Sequence, residues 1–510
     1  MALPTLERPG ARLGGVTQTT ASVSCRTDSA GVNLYLDVAH DPAFTAIIAT
    51  SAAAALNSAN NYTATAHVTG LAPGTRYHWR VRAGDSGDAN VAVGSGLLFS
   101  GSFRTLHSRA SRRWVIWGLG CMQLNTGAEF NRRLSQVFSR IRASDPLACM
   151  WIDDIDYVDA HGAVGSGNYG AGVYMTWPQD TSINQAEREI RARTNYYSRL
   201  DEEWRSNHSE GMNVLMAQIP TWWMYGDHDG GFNDRDGYDA HSATAWQVDA
   251  IRAMNKVNLE LFGALNKHHL EASQPSSYTY STDTESETDK PIHYHYIDVP
   301  PVRFVVLDCR AFRSSKGATD NASKTMLGAA QKQWLKDAIR DNPQPFLAIV
   351  SSLMFDGDHD YNPGLTTFDG WKGWSTEREE ILDYIWSVGN PHRTVILSFD
   401  THVACAAKYT GQNQDRPAIY EVTNASLWNT PNHSYVTGFG NQIYRTGETA
   451  AAVGYGGRLQ MMRTNINSVT KVTAGPGYME VAAVQVYDNN GIGGYSTMQP
   501  FKTLWSRRFE

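Results

Sequence analysis

The chain has 510 residues and a formal net charge of −7, enough length for two or more domains with well-buried cores. The charges are spread along the chain without a basic block, which argues against a specific nucleic acid partner. No segment approaches the roughly 18 apolar residues of a membrane span, and Met1–Arg12 lacks the apolar segment of a secretory signal. The five cysteines are scattered without a CxxC motif, so a disulfide framework is not expected.

The first 107 residues alternate short strand patterns with turn signals, a spacing typical of a β-sandwich. Strands are predicted at Ala21–Arg26, Val32–Val38, Tyr62–Val68, Arg76–Ala83 and Leu97–Arg104. The segment Val68–Ala83 carries a Gly-Leu-x-Pro-Gly-Thr-x-Tyr turn that resembles fibronectin type III modules and the N-terminal modules of purple acid phosphatases. Because no cluster of catalytic side chains occurs in this region, we expect it to have a supporting role.

From Arg113 onward the pattern changes to strands that alternate with helices, which predicts a layered α/β domain. The predicted strands are Trp114–Leu119, Leu147–Ile152, Ile292–Val299, Val302–Asp308, Phe346–Ser351 and Thr394–Ser398. The predicted helices are Ala128–Arg142, Ile183–Asn207, Ala243–Leu265, Gly328–Asp341 and Thr376–Val388. Beyond Pro417 we expect strands and loops that close a second sheet. The domains are therefore predicted at 1–107 and 108–510.

The stretch Thr221–Asp234 is central to the functional prediction, because its aromatic strand breaks into Gly226-Asp227-His228-Asp229 and then into glycines. A buried strand that delivers a carboxylate and an imidazole onto a loop suits metal-assisted hydrolysis, in which one group holds the metal and its neighbour exchanges a proton. A surface turn is the alternative interpretation, since Gly, Asp and Asn are common turn formers.

Three other predicted strands also end in polar residues, namely Gly120-Cys121, Asp153-Asp154 followed by Tyr157, and Asp400-Thr401-His402. In open α/β sheets ligands bind beyond the carboxyl ends of the strands, so these groups can converge on one crevice. Their mixture of carboxylate, phenol, imidazole and thiol suits a borderline or redox-capable metal beside a harder divalent ion. Taken singly, Asp154 would more often be a helix or turn cap, Cys121 would more often be an inert core residue, and Tyr157 could be an ordinary buried tyrosine.

Together these blocks resemble the PhoD-like alkaline phosphatase and phosphodiesterase family of the calcineurin-like metallophosphatase superfamily, over nearly the whole chain. The matching blocks are Gly120-Cys121, Asp153–Tyr157, Tyr225–Asp229 with Asn233, Leu307–Arg310, Gly328–Leu335 and Ser398–His402. The resemblance implies an α/β (α+β) fold, a four-layer sandwich of two mixed β-sheets flanked by helices, with a fibronectin-III-like β-sandwich in front. It also implies an exported protein, periplasmic or secreted, whose signal has been removed.

The resemblance further implies the roles of individual residues. Cys121, Tyr157, Asp400 and His402 would hold a ferric ion, Fe(3+), and Asp154 would bridge it to a second divalent ion. Calcium is the expected second ion, with zinc, manganese or magnesium as alternatives. The residues expected to act in catalysis are Asp227, also on the second-metal side, and His228, which would face the substrate.

Three positions depart from the family pattern. Asp153 stands where the family has a glycine, Gly226 stands where it has an aspartate, and Phe399 stands where it has a glycine. We expect the additional charge of Asp153 to disturb or enlarge the metal cluster. The side chain of Phe399 is expected to narrow the pocket or to shift the strand.

The predicted function is a metal-dependent phosphoester hydrolase, in which water activated by two metals attacks the phosphorus of a small-molecule phosphate ester. His228 is expected to serve as general acid or electrostatic partner at the leaving group. Arg310 and Asn233 are the substrate-binding candidates, although Arg310 could instead be a structural arginine bonded to backbone carbonyls. The charge of Asp153 favours a monoanionic diester over a dianionic monoester. A catalytically decayed binding protein and a structural single-metal site are the competing interpretations.

Overall fold

The structure is a computed structural model, and all structural statements refer to the residues that it describes. These are residues 11–26, 33–56, 62–84, 97–122, 128–155, 184, 212–229, 256, 258–260, 262–278, 292–355, 369–411, 413, 415–424, 427, 458–463, 466–488 and 501–510. Except for Asn184, the predicted helix at Ile183–Asn207 lies outside these ranges, as does most of the predicted helix at Ala243–Leu265.

The N-terminal part is an antiparallel β-sandwich, as the strand spacing predicts. Its strands are β1 (Ala11–Gly14), β2 (Ala21–Arg26), β3 (Asn33–Ala39), β4 (Ile47–Thr50), β5 (Ala54–Ala55), β6 (Thr63–Val68), β7 (Arg76–Gly84) and β8 (Leu97–Arg104). One layer contains β3, β4, β5, β7 and β8, and the other contains β1, β2 and β6. Side chains of β7 alternate between the two faces of its layer. Tyr77, Trp79 and Val81 point into the core, while Arg80 and Arg82 face the other side.

A nine-stranded mixed sheet continues from this sandwich, in the order β21-β20-β19-β9-β10-β11-β1-β2-β6. Its further strands are β9 (Trp114–Leu119), β10 (Ala148–Ile152), β11 (Thr221–Met224), β19 (Ile466–Gly475), β20 (Tyr478–Asp488) and β21 (Lys502–Phe509). The central strands β9, β10 and β11 are parallel and read as apolar runs, as expected for strands covered on both faces. Since β1 pairs in parallel with β11, the same sheet passes from the central strands into the N-terminal strands.

The second sheet has seven strands, in the order β12-β13-β14-β15-β17-β16-β18. They are β12 (His295–Val299), β13 (Val302–Val306), β14 (Phe346–Ser351), β15 (Thr394–Ser398), β16 (Ala404–Tyr409), β17 (Ile419–Thr423) and β18 (Arg458–Arg463). The main core lies between the two sheets, where the rings of Trp222 and Phe304 are 5.3 Å apart.

Helices cover the outer faces of both sheets. They are α1 (Ala128–Ala143), α2 (Met212–Gln218), α3 (Lys267–Ser273), α4 (Gly328–Arg340) and α5 (Ser375–Val388). On the first sheet, Phe138 of α1 contacts Trp151 of β10. On the second sheet, Leu335 of α4 and Ile381 of α5 pack with Ile349 of β14. The predicted four-layer sandwich of two mixed sheets is therefore confirmed. Among the helices in the described ranges, none is long and apolar enough to cross a membrane.

The prediction for the chain beyond Pro417 is wrong in part. Strands β17 and β18 join the second sheet, but β19, β20 and β21 extend the first sheet, because β19 pairs antiparallel with β9. The strand pattern alone does not show which sheet accepts a strand. The predicted helix end at Leu265 is also wrong, since Gly263–Asn266 forms a 3-10 helix. There the Asn266 side chain bonds the backbone of Trp223 on β11, with Nδ2 donating to the carbonyl oxygen at 2.6 Å.

Candidate metal centre

The carboxyl ends of β9, β10 and β11 lie side by side, because Trp151 of β10 pairs with Leu119 of β9 and with Trp223 of β11. The residues that follow these strands are tied by backbone hydrogen bonds. The N–H of Cys121 donates to the carbonyl oxygen of Asp153 at 3.2 Å, and the N–H of Asp153 donates to that of Met224 at 2.9 Å. Three of the four predicted polar blocks therefore meet at one edge of this sheet, and the fourth, Asp400-Thr401-His402, follows β15 of the second sheet.

Backbone strain is concentrated at these turns and at the turn that follows β15. Positive φ angles occur at Cys121 (49°), Asp153 (68°), Asp154 (37°), Asp400 (75°) and His402 (54°). A left-handed conformation costs on the order of 1 kcal/mol or more for each residue with a side chain. Such strain persists where the surrounding structure enforces it, and here it turns functional groups away from the strand direction into the crevice.

The structure brings six predicted or neighbouring side chains into three overlapping groups. Within each group the possible ligand atoms lie within 4.8 Å of one another. The groups are Cys121 with Asp153 and Asp154; Asp154 with Asp227 and His228; and Asp153 with Asp154, Asp227 and Asp400. Asp154 belongs to all three groups, which is the placement expected of a carboxylate shared between two cations.

The cluster has more negative charge than its own contacts satisfy. Asp153 Oδ1 and Asp154 Oδ2 are buried without a hydrogen-bond partner. Burial and the neighbouring carboxylates raise the pKa of both Asp153 and Asp154 well above the ordinary range. Burial, followed by the charges of Asp153 and Asp154, likewise raises the pKa of the Cys121 thiol. Orphaned carboxylate oxygens beside a thiol and an imidazole fit metal cations, which would satisfy these oxygens and favour deprotonated ligands.

Two departures from the family pattern, Asp153 and Gly226, explain each other. A Cβ atom at Gly226 would lie 2.2 Å from Asp153 Oδ1 and 2.2 Å from Asp154 Oδ1. No side chain fits at 226 while both carboxylates hold these positions, so the carboxylate of Asp153 uses the space that a residue at 226 would need. The sequence prediction omitted Asp153 from the metal ligands. No sequence signal shows its position, because the alignment of β10 with β11 is known only from the structure.

The third departure, Phe399, lies beneath the cluster. Its side chain is fully buried in the core between the sheets. A Cβ atom at Gly118 or Gly120 would lie 3.1 Å or 3.0 Å from the Phe399 ring. The ring therefore packs against the end of β9 and supports the turn that carries Cys121.

Arg310 is a fully buried cation beside the acidic cluster. Its Nη1 contacts Asp369 Oδ2 at 2.7 Å, and its Nη2 lies 3.4 Å from Asp227 Oδ1 and 3.7 Å from Asp400 Oδ2. Arg313 holds the other oxygen of Asp369 at 2.6 Å. Sequence reasoning missed Asp369 and Arg313, because neither lies in a recognisable motif. These contacts orient Arg310 towards two of the possible metal ligands.

Asp229 joins the turns after β10 and β11. Its Oδ2 accepts hydrogen bonds from the N–H groups of Ile155 at 3.2 Å and Gly226 at 3.1 Å. His402 follows Asp400 and is half-buried, but it is not a member of the three ligand groups. The predicted ligand Tyr157 and the predicted substrate contact Asn233 lie outside the described residues.

Four layers, two mixed sheets and an acidic cluster at the strand ends define an α/β protein of the metallophosphatase type. Residues 122–482 match the family model of the PhoD-like phosphatase, and residues 8–106 match that of the PhoD-like phosphatase N-terminal domain. The chain belongs to the PhoD-like phosphatase family.

Two solved structures support the same fold. The structure of PhoD is similar over 99% of this chain and 91% of its own, with a TM-score of 0.68 and 15% sequence identity. Purple acid phosphatase PPD1 from yellow lupin (Lupinus luteus) seeds is similar over 98% of this chain and 74% of its own, with a TM-score of 0.52 and 10% identity. No curated protein sequence matches the chain significantly.

Proposed function

We propose that this chain is a phosphoester hydrolase that depends on two metal ions held at the carboxyl ends of β9, β10, β11 and β15. The observation that carries the proposal is the position of Asp154, whose carboxylate belongs to all three ligand groups. Family membership supports a phosphoester as the substrate class. The orphaned oxygens of Asp153 and Asp154 support a bound cation pair rather than a decayed site.

The donor set divides into two sides around Asp154. Cys121 and Asp400, with Tyr157 and His402 as further expected ligands, would hold the ferric ion, and Asp227 would contribute to a divalent ion, with calcium the first candidate. When bound, the ions would lower the pKa of a water molecule and offset the charge that grows on the phosphoryl oxygens. Asp153 extends the ligand set that the family resemblance implies.

The chain's own residues position these groups. The N–H of His228 donates to Asp154 Oδ1 at 3.1 Å, which fixes the orientation of the shared carboxylate. The half-buried ring of His228 belongs to the same ligand group as Asp154 and Asp227, and we assign to it the proton transfer to the leaving oxygen. Arg310, held by Asp369, keeps Asp227 and Asp400 in place and adds positive charge near a bound phosphoryl group.

The substrate preference that we propose is a diester. The cluster contains four carboxylates, and one arginine, Arg310, lies beside it. A monoanionic diester therefore meets less repulsion there than a dianionic monoester. Steady-state rates on a chromogenic diester and the matching monoester measure this preference. We expect the diester to be turned over faster, and an equal or faster monoester would contradict it.

The test of the metal-dependent hydrolysis is Asp154→Asn, which keeps the side-chain shape and removes the shared charge. We expect wild-type protein to contain iron and a second metal and to hydrolyse the chromogenic diester. In the variant we expect loss of bound metal and a fall in rate of roughly 100-fold or more. Elemental analysis and steady-state kinetics measure both.

Asp145→Asn is the matched control, because Asp145 precedes β10 as Asp154 follows it and its side chain is 72% exposed. The control should retain metals and rate. Wild-type protein without metal or hydrolysis after supplementation would support the decayed binding protein. One bound metal without hydrolysis would support the structural site, and an unchanged Asp154→Asn would refute the assignment of Asp154.

A further inference from the structure

The opposite, amino ends of β9, β10 and β11 border a second concave site. A cavity of about 540 Å³ lies there between the N-terminal sandwich and the first sheet. We call it the amino-end groove and define it by its basic lining residues, Arg76, Arg104, His107, Arg112, Arg113 and Arg142. The strands between the metal centre and this groove have four to six residues, which corresponds to roughly 13–20 Å.

The charge of the groove contrasts with that of the whole chain. Five arginines line it and one carboxylate, Asp145, opposes them, although the chain as a whole carries a net charge of −7. Arg76 pairs with Asp145 at 2.7 Å, but the two side chains are 45% and 72% exposed, and such surface pairs are weak. Within the described part of the chain, no carboxylate pairs with Arg104, Arg112 or Arg113. A concave surface lined by one sign of charge concentrates counter-ions.

The side chains of the groove indicate the chemistry of a ligand. Arginine presents a planar fork of N–H donors that matches phosphate oxygens two at a time. The cavity is within the size range of small-molecule sites, so it exceeds the need of a single ion. Phe103 and Trp114 line the groove but are buried, so neither ring offers a stacking surface for a nucleic acid base.

The groups around the groove determine which of its residues provide positive charge to a ligand. Helix α1 ends at the groove, with Ser139 and Ala143 in its lining, and a helix carboxyl end carries partial negative charge. Arg142 in its last turn offsets that charge. Burial and the charges of Arg104 and Arg112 lower the pKa of His107, so the arginines are the main source of positive charge in the groove. A ligand that binds tightly in the groove must therefore contact several arginines at once.

We propose that the amino-end groove binds a small compound that carries two or more linked phosphate groups, at a site separate from the metal centre. Linked phosphates reach arginines from both walls of the groove, Arg104 from the sandwich and Arg112 and Arg113 from the segment that leads into β9. This site does not depend on the hydrolysis proposed above, because none of its residues belongs to the metal centre.

Isothermal titration calorimetry with inorganic tripolyphosphate tests the site. The full chain is first depleted of metal on a chelating resin, so that the probe has no cation to bind at the other end of the sheet. We expect saturable binding by wild-type protein, and a Kd at least roughly 30-fold higher in Arg112→Gln/Arg113→Gln, since two charge-assisted contacts are lost. Both residues are exposed, so the variant should keep the wild-type unfolding temperature.

Arg109→Gln is the matched control, because Arg109 is exposed in the same segment but does not line the groove. Its Kd should equal that of wild-type protein. Orthophosphate and citrate should bind at least about tenfold more weakly than tripolyphosphate, which separates linked phosphates from a single phosphate and from carboxylates. No binding by wild-type protein, an equal Kd in the double variant, or equal affinity for citrate would overturn the proposal.

Discussion

The N-terminal sandwich and the metal centre each bury a cluster of charged side chains, and the two clusters balance their charges differently. In the sandwich, Asp37 Oδ2 accepts from Arg80 Nε at 2.9 Å and from Arg82 Nε at 2.7 Å. Its Oδ1 accepts from Thr50 Oγ1 at 2.9 Å and from Arg82 Nη2 at 3.2 Å. Both oxygens of this single carboxylate are satisfied within the protein, and two guanidinium groups exceed its charge.

In the candidate metal centre, by contrast, the carboxylates outnumber the guanidinium groups. Asp153, Asp154, Asp227 and Asp400 share one buried arginine, Arg310, and two of the carboxylate oxygens have no hydrogen-bond partner. The pKa values move in opposite directions. Burial would raise the pKa of Asp37, but hydrogen bonds from Arg82 and Arg80 lower it overall, whereas burial and like charges raise the pKa of Asp153. The comparison distinguishes a structural ion network, complete in itself, from a cluster whose unsatisfied carboxylates fit bound cations.

The largest effect on folding is expected for Asp37→Asn. The variant leaves Arg80 and Arg82 buried with a neutral partner, which should cost about 3–5 kcal/mol of the free energy of unfolding. Urea denaturation measures this cost, and it should be the same with and without bound metal. Asp145→Asn is the control, since an exposed pair contributes about 0–1 kcal/mol.

Acid provides a second readout of the same variant. Because the folded-state pKa of Asp37 lies below its unfolded value of about 3.9, its contribution is present above that pH. It is lost as the pH falls through the folded-state pKa. The stability difference between wild-type protein and Asp37→Asn should therefore narrow in acid, and a difference that stays constant would contradict the assigned role of the carboxylate.

The next largest effect is expected for Gly226→Ala, which places a methyl group beside Asp153. A methyl group in Gly226→Ala would lie 2.2 Å from oxygens of both Asp153 and Asp154, so the carboxylates must move and metal affinity should fall roughly 100-fold or more. Metal titration measures the fall. Gly317→Ala is the control, because its Cβ would lie 3.8 Å from the nearest atom, Ser315 Oγ. Stoichiometric metal binding with unchanged affinity in Gly226→Ala would show that this packing is not required.

The smallest effects are expected for Asp153→Asn, which should stabilise the metal-free protein and weaken its binding of metal. Asp153→Asn removes one of four like charges, so the metal-free protein should gain about 1–2 kcal/mol of unfolding free energy. The same variant should lose roughly tenfold in metal affinity, because Asp153 supplies an unpartnered oxygen to the cluster. Denaturation of metal-free protein and metal titration measure the two effects. A destabilised metal-free variant with unchanged affinity would make Asp153 a structural residue.

The sequence predicted the strands of the core and the meeting of their ends. The bounds of β9, β14 and β15 match the predictions because each is a short, mainly apolar run that is buried on both faces of its sheet. Cys121, Asp154 and Asp227 meet as predicted, because the carboxyl ends of the parallel strands β9, β10 and β11 share one edge of a sheet. Asp400 follows β15 of the second sheet, so its place in the cluster also requires the packing of the two sheets.

Other features depend on register and on distant contacts that a sequence pattern does not contain. The fit between Asp153 and Gly226 requires the alignment of β10 with β11. The contact of Arg310 with Asp369 joins residues 59 positions apart. The placement of β19 beside β9 depends on which sheet has room at its side, and the strand residues alone do not specify it.

The pairing of β1 with β11 has a consequence for how the N-terminal strands should be regarded. Gly14 faces Thr221 across this pair, and Leu265 packs so closely over Gly14 that a Cβ atom there would lie 2.7 Å from Leu265 Cβ. Without β1, this side of β11 would be an exposed edge, whose unpaired N–H and C=O groups can pair with a strand of another chain. The N-terminal strands thus cover the edge of the strand that leads to Asp227, and they protect the C-terminal domain against pairing with another chain at this edge.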